Sequence, residues 1–245
     1  MREVPSLPLI RVRRAGIAAV CALALAAGSA AALAAAPPPE ATGTAAVAAP
    51  DRYGAETAAR ILSKGGNAVD AAIAVAFTLA VTYPEAGNLG GGGFATLWVE
   101  GKAYFLDYRE RAPASATAGM YLDAAGNVVP DASTVGARAA GVPGTVAGLW
   151  ELHRRFGRLP WRVDLAPSIR YAHEGFRVSP MLATVRDARA RELHGRTNFA
   201  DYFGALAPEA TFPQAELEQT LERIAADGPA GFYGGRTAEL IVAEM

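Results

Sequence analysis

The chain has 245 residues, 51% of them hydrophobic, and a formal net charge of −1. That is enough apolar material for one sizeable core or two small ones, and too little positive charge to hold a nucleic acid. Cys21 is the single cysteine, and it lies in the opening apolar run, so a chain relieved of that run carries no thiol for a disulfide, a nucleophile or a thiolate metal site.

The first 34 residues have the layout of an export signal. Arg11–Arg14 supplies the positive end, Ala15–Ala36 the apolar middle and Ala32-Leu33-Ala34 a small-residue cleavage site. An uncleaved membrane anchor is the rival reading, since the run approaches the ~20 residues that span a bilayer; its alanine-rich character and small-residue exit favour cleavage. The expectation is an exported protein, periplasmic or secreted, that meets a membrane only if the leader stays on. The leader takes with it four arginines and one glutamate, leaving 19 basic against 23 acidic groups and a mature charge of −4. Residues 35–50, rich in Ala, Pro and Thr, read as a flexible linker, and residues 51–245 as the folded portion.

Ala55–Leu62 has a helical pattern closed by Lys64-Gly65-Gly66. A second helix is expected over Ala68–Val81, with Asn67 capping its first turn and Asp70 set against the positive end of its dipole. Asp70 is the only charge in that helix, which predicts burial on most faces. Tyr83-Pro84 ends it. After the glycine run Gly90–Gly93 comes a hairpin, Phe94–Glu100 and Lys102–Tyr108, with Gly101 at the turn. Asp123–Asn127 has the composition of a turn, and helical periods then dominate: Val146–Phe156, Leu165–Glu174, Pro180–Leu193, Gln214–Ala226 and a last helix from about Arg236. Two strands make an incomplete sheet, and the final helix stops without a capping glycine, so the chain reads as a piece of something larger.

The glycine run enters a strand through Phe94 and lacks the Gly-Lys-Ser/Thr ending of a phosphate cradle, so close backbone packing accounts for it better. His153, His173 and His194 share no ligand spacing; helix-surface or loop positions are expected for them, with no metal and no cofactor. Alternation along the second strand puts Ala103, Phe105, Asp107 and Arg109 on one face, and Tyr104, Leu106 and Tyr108 on the other. Arg109 thus stands at a strand end, where a guanidinium can grip a carboxylate with two parallel hydrogen bonds. A plain surface pair with Asp107 is the alternative, and Arg111 is a competing anchor in the same segment.

Five ordered motifs resemble the γ-glutamyltransferase (γ-glutamyltranspeptidase, glutathione hydrolase) family: Gly65–Ala72, Tyr83–Phe94, Asp107–Pro113, Gly141–Gly148 and Gly228–Gly235. The resemblance runs from about Asp51 to the last residue and corresponds to the N-terminal part of the family's large subunit. It implies an α/β fold, here a partial, helix-rich piece of the N-terminal-nucleophile hydrolase α/β/β/α sandwich with a helical lobe. It selects Arg109 as the residue that binds the α-carboxylate of a γ-glutamyl substrate such as glutathione, with Asp107 and Glu110 as its supports. The family's nucleophile is a threonine freed by self-cleavage, which passes the glutamyl group to water or an amino acid. That threonine belongs to a small subunit, a partner of this segment, so no catalytic residue is expected here. Thr145, which follows Gly144, falls within a structural motif and is expected to cap a helix. Two other readings are an acylase of the same fold acting on another acyl group, such as a cephalosporin acylase, and a non-catalytic secreted protein that binds a carboxylate or a partner chain.

Overall fold

The order of elements follows from where the chain caps its helices. A computed structural model describes residues 45–245, and those from Val47 onward pack as one unit. The export signal and most of the linker fall outside the described residues.

Helix α1 spans Arg52–Ser63, and α2 spans Ala68–Thr82. Asp51 caps the first, accepting the N–H of Gly54 at 2.7 Å, which is why α1 starts three residues before the apolar pattern does. Asn67 and Asp70 form a reciprocal capping box at the start of α2. Asn67 Oδ1 accepts from the N–H groups of Val69 and Asp70, and Asp70 Oδ2 accepts from the N–H of Asn67 at 2.7 Å. Strands β1 (Phe94–Val99) and β2 (Lys102–Asp107) pair antiparallel, Phe94 opposite Asp107 and Val99 opposite Lys102. Glu100 and Gly101 turn the hairpin with φ of 50° and 76°, the two positive values that match the twist of the flanking strands.

A short 3₁₀ turn, Ala137–Ala139, precedes α3 (Thr145–Phe156) and α4 (Trp161–Glu174). Helix α4 begins four residues earlier than the apolar period suggested, on the extended backbone of Pro160. Then come β3 (Phe176–Arg177), α5 (Pro180–Glu192), α6 (Phe199–Phe203), β4 (Thr211–Phe212), α7 (Ala215–Asp227), α8 (Ala230–Tyr233) and α9 (Gly235–Glu244). The pair β3–β4 was not foreseen; two residues are too few to show a period. Nor were α6 and α8, each barely more than one turn.

The core forms around α2. Ile73, Phe77 and Val81 are fully buried and meet Trp161 and Leu165 of α4, with Leu221 and Ile224 of α7 behind them. Phe77 and Trp161 meet edge to face at 5.5 Å, and the Trp161 indole N–H donates to the Ile224 carbonyl at 2.9 Å. On its other side α2 packs against α1 through Ala71, Ala74, Ala58 and Ile61. Thr57 and Thr78 satisfy one another there at 3.1 Å, so the seam carries no orphaned hydroxyl. The structure is helix-rich α/β, as the sequence implied. Among the described residues no helix is long and apolar enough to cross a membrane.

Candidate functional site: a clasped arginine at the hairpin end

Tyr108 and Arg109 continue β2 beyond its last paired residue. Glycines close around them. The Tyr108 N–H donates to the Gly93 carbonyl at 3.0 Å. A Cβ on Gly92 would stand 2.6 Å from the Arg109 Cα, and one on Gly144 would stand 2.0 Å from the Tyr108 carbonyl oxygen. No side chain larger than hydrogen fits at either place, which gives the glycine run the backbone-packing role expected of it. Gly148, one turn into α3, lies against the Tyr108 ring.

Hydrogen bonds then lock the segment to α3. Gly144 and Thr145 both donate to the Gly91 carbonyl, at 2.7 and 3.0 Å. Arg111 and Val142 exchange backbone bonds at 3.1 and 2.8 Å. Asn88 Oδ1 accepts from the Gly91 N–H at 2.9 Å and from the Thr145 hydroxyl at 2.6 Å. Thr145 is therefore not the cap it was expected to be. It is the first helical residue, Gly144 occupies the cap position, and the buried hydroxyl spends its proton on Asn88. The Tyr233 hydroxyl accepts from the Ala147 N–H and donates to the Pro143 carbonyl, bracing the same turn. Burial raises the pKa of both Tyr108 and Tyr233, so both hydroxyls stay protonated at neutral pH.

Arg109 emerges from this clasp with its side chain 66% exposed. Its backbone N–H donates to Asp107 Oδ1 at 3.0 Å, and its Nε lies 3.9 Å from Glu110 Oε2, the only carboxylate within ion-pair reach among the described residues. The guanidinium carbon stands 5.9 Å from the centre of the Phe94 ring. Asp107 holds the backbone and Glu110 reaches only Nε, so the fork of terminal nitrogens is open to a carboxylate from outside. Arg109 borders a cleft of about 260 Å³, together with Arg111, Pro143, Ala147 and Glu151. Larger hollows, of about 580 and 460 Å³, lie by Leu217 and Arg186, away from the hairpin end. The small cleft is the candidate on position rather than size, because the clasped Arg109 and its neighbour Arg111 both border it.

The alternation read from the sequence holds. Tyr104, Leu106 and Tyr108 turn inward, and Phe105, Asp107 and Arg109 outward. Phe94, Trp98 and Phe105 share that outer face, 55, 74 and 65% exposed, with Phe94 and Phe105 stacked at 5.7 Å.

His173 and His194 sit at the surface as expected, His173 2.9 Å from Glu218. His153 does not. Its side chain is 16% exposed and faces Asp164, with Nδ1 3.3 Å from Oδ2. Asp70 joins them, the three donor atoms lying within 4.8 Å of one another. Asp70 accepts backbone N–H bonds from Arg158 at 2.8 Å and Leu159 at 3.3 Å. Asp164, fully buried, accepts none among the described residues. Burial pushes the Asp164 carboxyl up to about 8, and the Asp70 charge adds to the rise. Burial also lowers the pKa of His153, against the opposing pull of Asp70.

Residues 54–245 match the family model for gamma-glutamyltranspeptidase. A glutathione hydrolase proenzyme of Pseudomonas aeruginosa is 60% identical over 200 residues, covering 82% of this chain and 36% of its own length. The solved gamma-glutamyltranspeptidase from Pseudomonas nitroreducens, complexed with L-DON, superposes with a TM-score of 0.80 at 61% identity, over 82% of this chain and 60% of that one. A cephalosporin acylase from Bacillus halodurans superposes at 0.69 with 32% identity, over 78% of this chain and 37% of that one. The chain thus spans about a third of the length of the curated relatives it matches. On the family match and the two Pseudomonas relatives, the chain belongs to the gamma-glutamyltranspeptidase family and carries part of its N-terminal-nucleophile hydrolase fold.

Proposed function

We propose that the chain is the N-terminal part of the large subunit of an exported γ-glutamyltransferase, and that Arg109 holds the α-carboxylate of the γ-glutamyl group. The observation that carries this reading is the clasp. Gly92, Gly144 and Gly148 and two backbone bridges fix Tyr108–Arg109 to α3, while the guanidinium fork stays open at a cleft. Rigid backbone with an unsatisfied planar donor is the arrangement that recognises a carboxylate by direction as well as charge.

The reaction follows from family membership. A γ-glutamyl donor such as glutathione gives its acyl group to a threonine nucleophile, and the acyl-enzyme passes it to water or to an amino acid. The threonine belongs to the remaining sequence, in a small subunit. This chain contributes orientation: with the α-carboxylate on Arg109, the γ-carbonyl is presented at a fixed distance to that nucleophile. The outer face of the hairpin supports a partner. Phe94, Trp98 and Phe105 form an uncovered aromatic surface beside Arg109, and a two-stranded sheet with open edges is marginal until something completes it. We assign that face to the small subunit. Export rests on the sequence of residues 1–34.

Identity of 60% to a glutathione hydrolase against 32% to a cephalosporin acylase favours the glutamyl reading over the other acyl groups handled by the fold. The test is kinetic, in the complete enzyme. Arg109→Ala raises the donor KM by about 10- to 100-fold, the loss of a bidentate charged contact. Arg111→Ala, whose backbone rather than side chain joins the clasp, raises it far less. Equal effects of the two substitutions would refute the assignment.

A further inference from the structure

Asp70, His153 and Asp164 are drawn together from three helices: the first turn of α2, the last turn of α3 and the first turn of α4. The cluster plays no part in the clasp at Arg109. Asp164 is 0% exposed, yet neither of its oxygens has a hydrogen-bond partner among the described residues, and His153 Nδ1 has none either. A buried polar atom without a partner forfeits its hydration and gets nothing back, so a buried carboxylate with neither oxygen hydrogen-bonded, facing an imidazole nitrogen in the same state, is not an ordinary core arrangement. The walls offer no donor in compensation: the rings of Trp150 and Trp161 pack on His153 at 5.7 and 5.1 Å.

Gly157 keeps this point open. Its φ is −64°, which any residue adopts, so no positive φ demands a glycine. A Cβ there would press on the His153 carbonyl oxygen at 2.6 Å, and would stand 2.8 Å from His153 Nδ1 and 3.2 Å from Asp70 Oδ1. The imidazole nitrogen and the Asp70 carboxylate therefore border the same small space.

We propose that Asp70, His153 and Asp164 form a buried site for a divalent transition-metal cation of the zinc type. The donor set is one imidazole nitrogen and two carboxylate oxygens, which suits zinc or cobalt; magnesium and calcium need six or more oxygens that the site does not have. The 3.3 Å between His153 Nδ1 and Asp164 Oδ2 fits two corners of a tetrahedron whose bonds are about 2.0–2.1 Å. One cation would bind the nitrogen of His153, one oxygen of Asp164 and one of Asp70 together; a proton shared between His153 and Asp164 would leave the Asp70 carboxylate out of the exchange. Asp70 is oriented by the three backbone N–H groups it accepts, from Asn67, Arg158 and Leu159. Those bonds supply the outer support expected around a ligating carboxylate. A water would complete the four-coordinate set. The role is structural. The ion would tie α2 and α4 to the far end of α3, the helix whose first turn clasps Tyr108.

The test uses the complete proenzyme, refolded with and without zinc and then desalted. About one zinc should remain per chain by mass spectrometry, and refolding with cobalt should give the intense visible bands of a four-coordinate ion. The double variant His153→Leu/Asp164→Leu, which swaps the buried pair for apolar side chains of similar size and so retains the core, should hold less than about a tenth as much metal. His173→Gln, at the exposed histidine, should retain all of it. Zinc bound equally by the double variant, or zinc absent from a refolded wild-type proenzyme of native circular dichroism, overturns the proposal and leaves the pair as a shared proton only.

Discussion

Gly148 and Tyr108 touch so closely that a Cβ on the glycine would stand 2.2 Å from the Tyr108 Cγ and 2.4 Å from its Cβ. Those are the near atoms of a half-buried aromatic side chain, held at its backbone by Gly93 and unable to swing aside. Gly148→Ala must therefore push the Tyr108–Arg109 segment off α3, at about 1–3 kcal/mol for an overpacked contact. Gly90→Ala is the control, since nothing lies within 4 Å of a Cβ at that position. Urea denaturation should give a lower midpoint for Gly148→Ala and little change for Gly90→Ala. In the complete enzyme the first variant should also raise the donor KM. Equal midpoints for the two would mean that the clasp is soft and does not position Arg109.

The capping box at α2 should be among the costlier side-chain losses on this surface. Asn67 Oδ1 takes the N–H groups of Val69 and Asp70, and its Nδ2 donates to the Phe156 carbonyl at 2.7 Å, across to the end of α3. Asn67→Ala removes a cap worth about 1 kcal/mol and leaves the Phe156 carbonyl short of a donor, for about 1 kcal/mol more. Asn67→Asp keeps the cap and loses only the second part. The chemical midpoints should therefore fall in the order wild type, Asp, Ala; an Asp variant no better than Ala would show that the bond to Phe156 matters more than the cap.

How much of this was legible depends on how local each cause is. Asn67 and Asp70 announce their capping box within four residues, and the inward set Tyr104, Leu106 and Tyr108 follows from period two alone. The place of Arg109 at the hairpin end was readable for the same reason. The role of Thr145 was not, because its partner Asn88 is 57 positions away and local sequence offers only the commoner use of a threonine at a helix start. His153 escaped for a like reason: Asp70 lies 83 residues before it, and only the fold brings them together. One signal was available. A lone aspartate in the otherwise uncharged α2, and another beside Leu165 in α4, each pointed to a buried charge in need of company.

Acid should loosen the turn at Asp123 only as pH falls through the depressed pKa of its carboxyl. Asp123 Oδ1 accepts the N–H groups of Ala125 and Asn127 at 2.9 and 2.8 Å, and Oδ2 accepts from Asn127 Nδ2 at 3.1 Å. The backbone N–H of Asn127, then its side chain, hold this carboxyl below the usual carboxylate range. A depressed folded pKa favours the folded turn above the unfolded value and withdraws that support as pH falls through the folded one. Carboxyl carbon shifts in NMR should show Asp123 titrating below the same residue in a peptide covering residues 119–131. Asn127→Ala should raise it towards the peptide value; no change on that substitution would place the cause elsewhere.

The outer hairpin face gives a prediction that separates folding from assembly. Trp98 is 74% exposed and pairs across the strands with Ala103, so its indole rests on little of this chain. Trp98→Glu should leave the urea midpoint of the 245-residue chain within about 0.5 kcal/mol of wild type, as surface changes do. In the complete proenzyme the same charge would be driven into an interface if the small subunit covers Phe94, Trp98 and Phe105. An unpaired buried carboxylate there costs several kcal/mol, enough to reduce association and activity together. Size-exclusion chromatography of the processed enzyme reads this directly. A variant that assembles and turns over like wild type would leave the aromatic face exposed in the mature molecule, and the small subunit would have to dock on another surface beside Arg109.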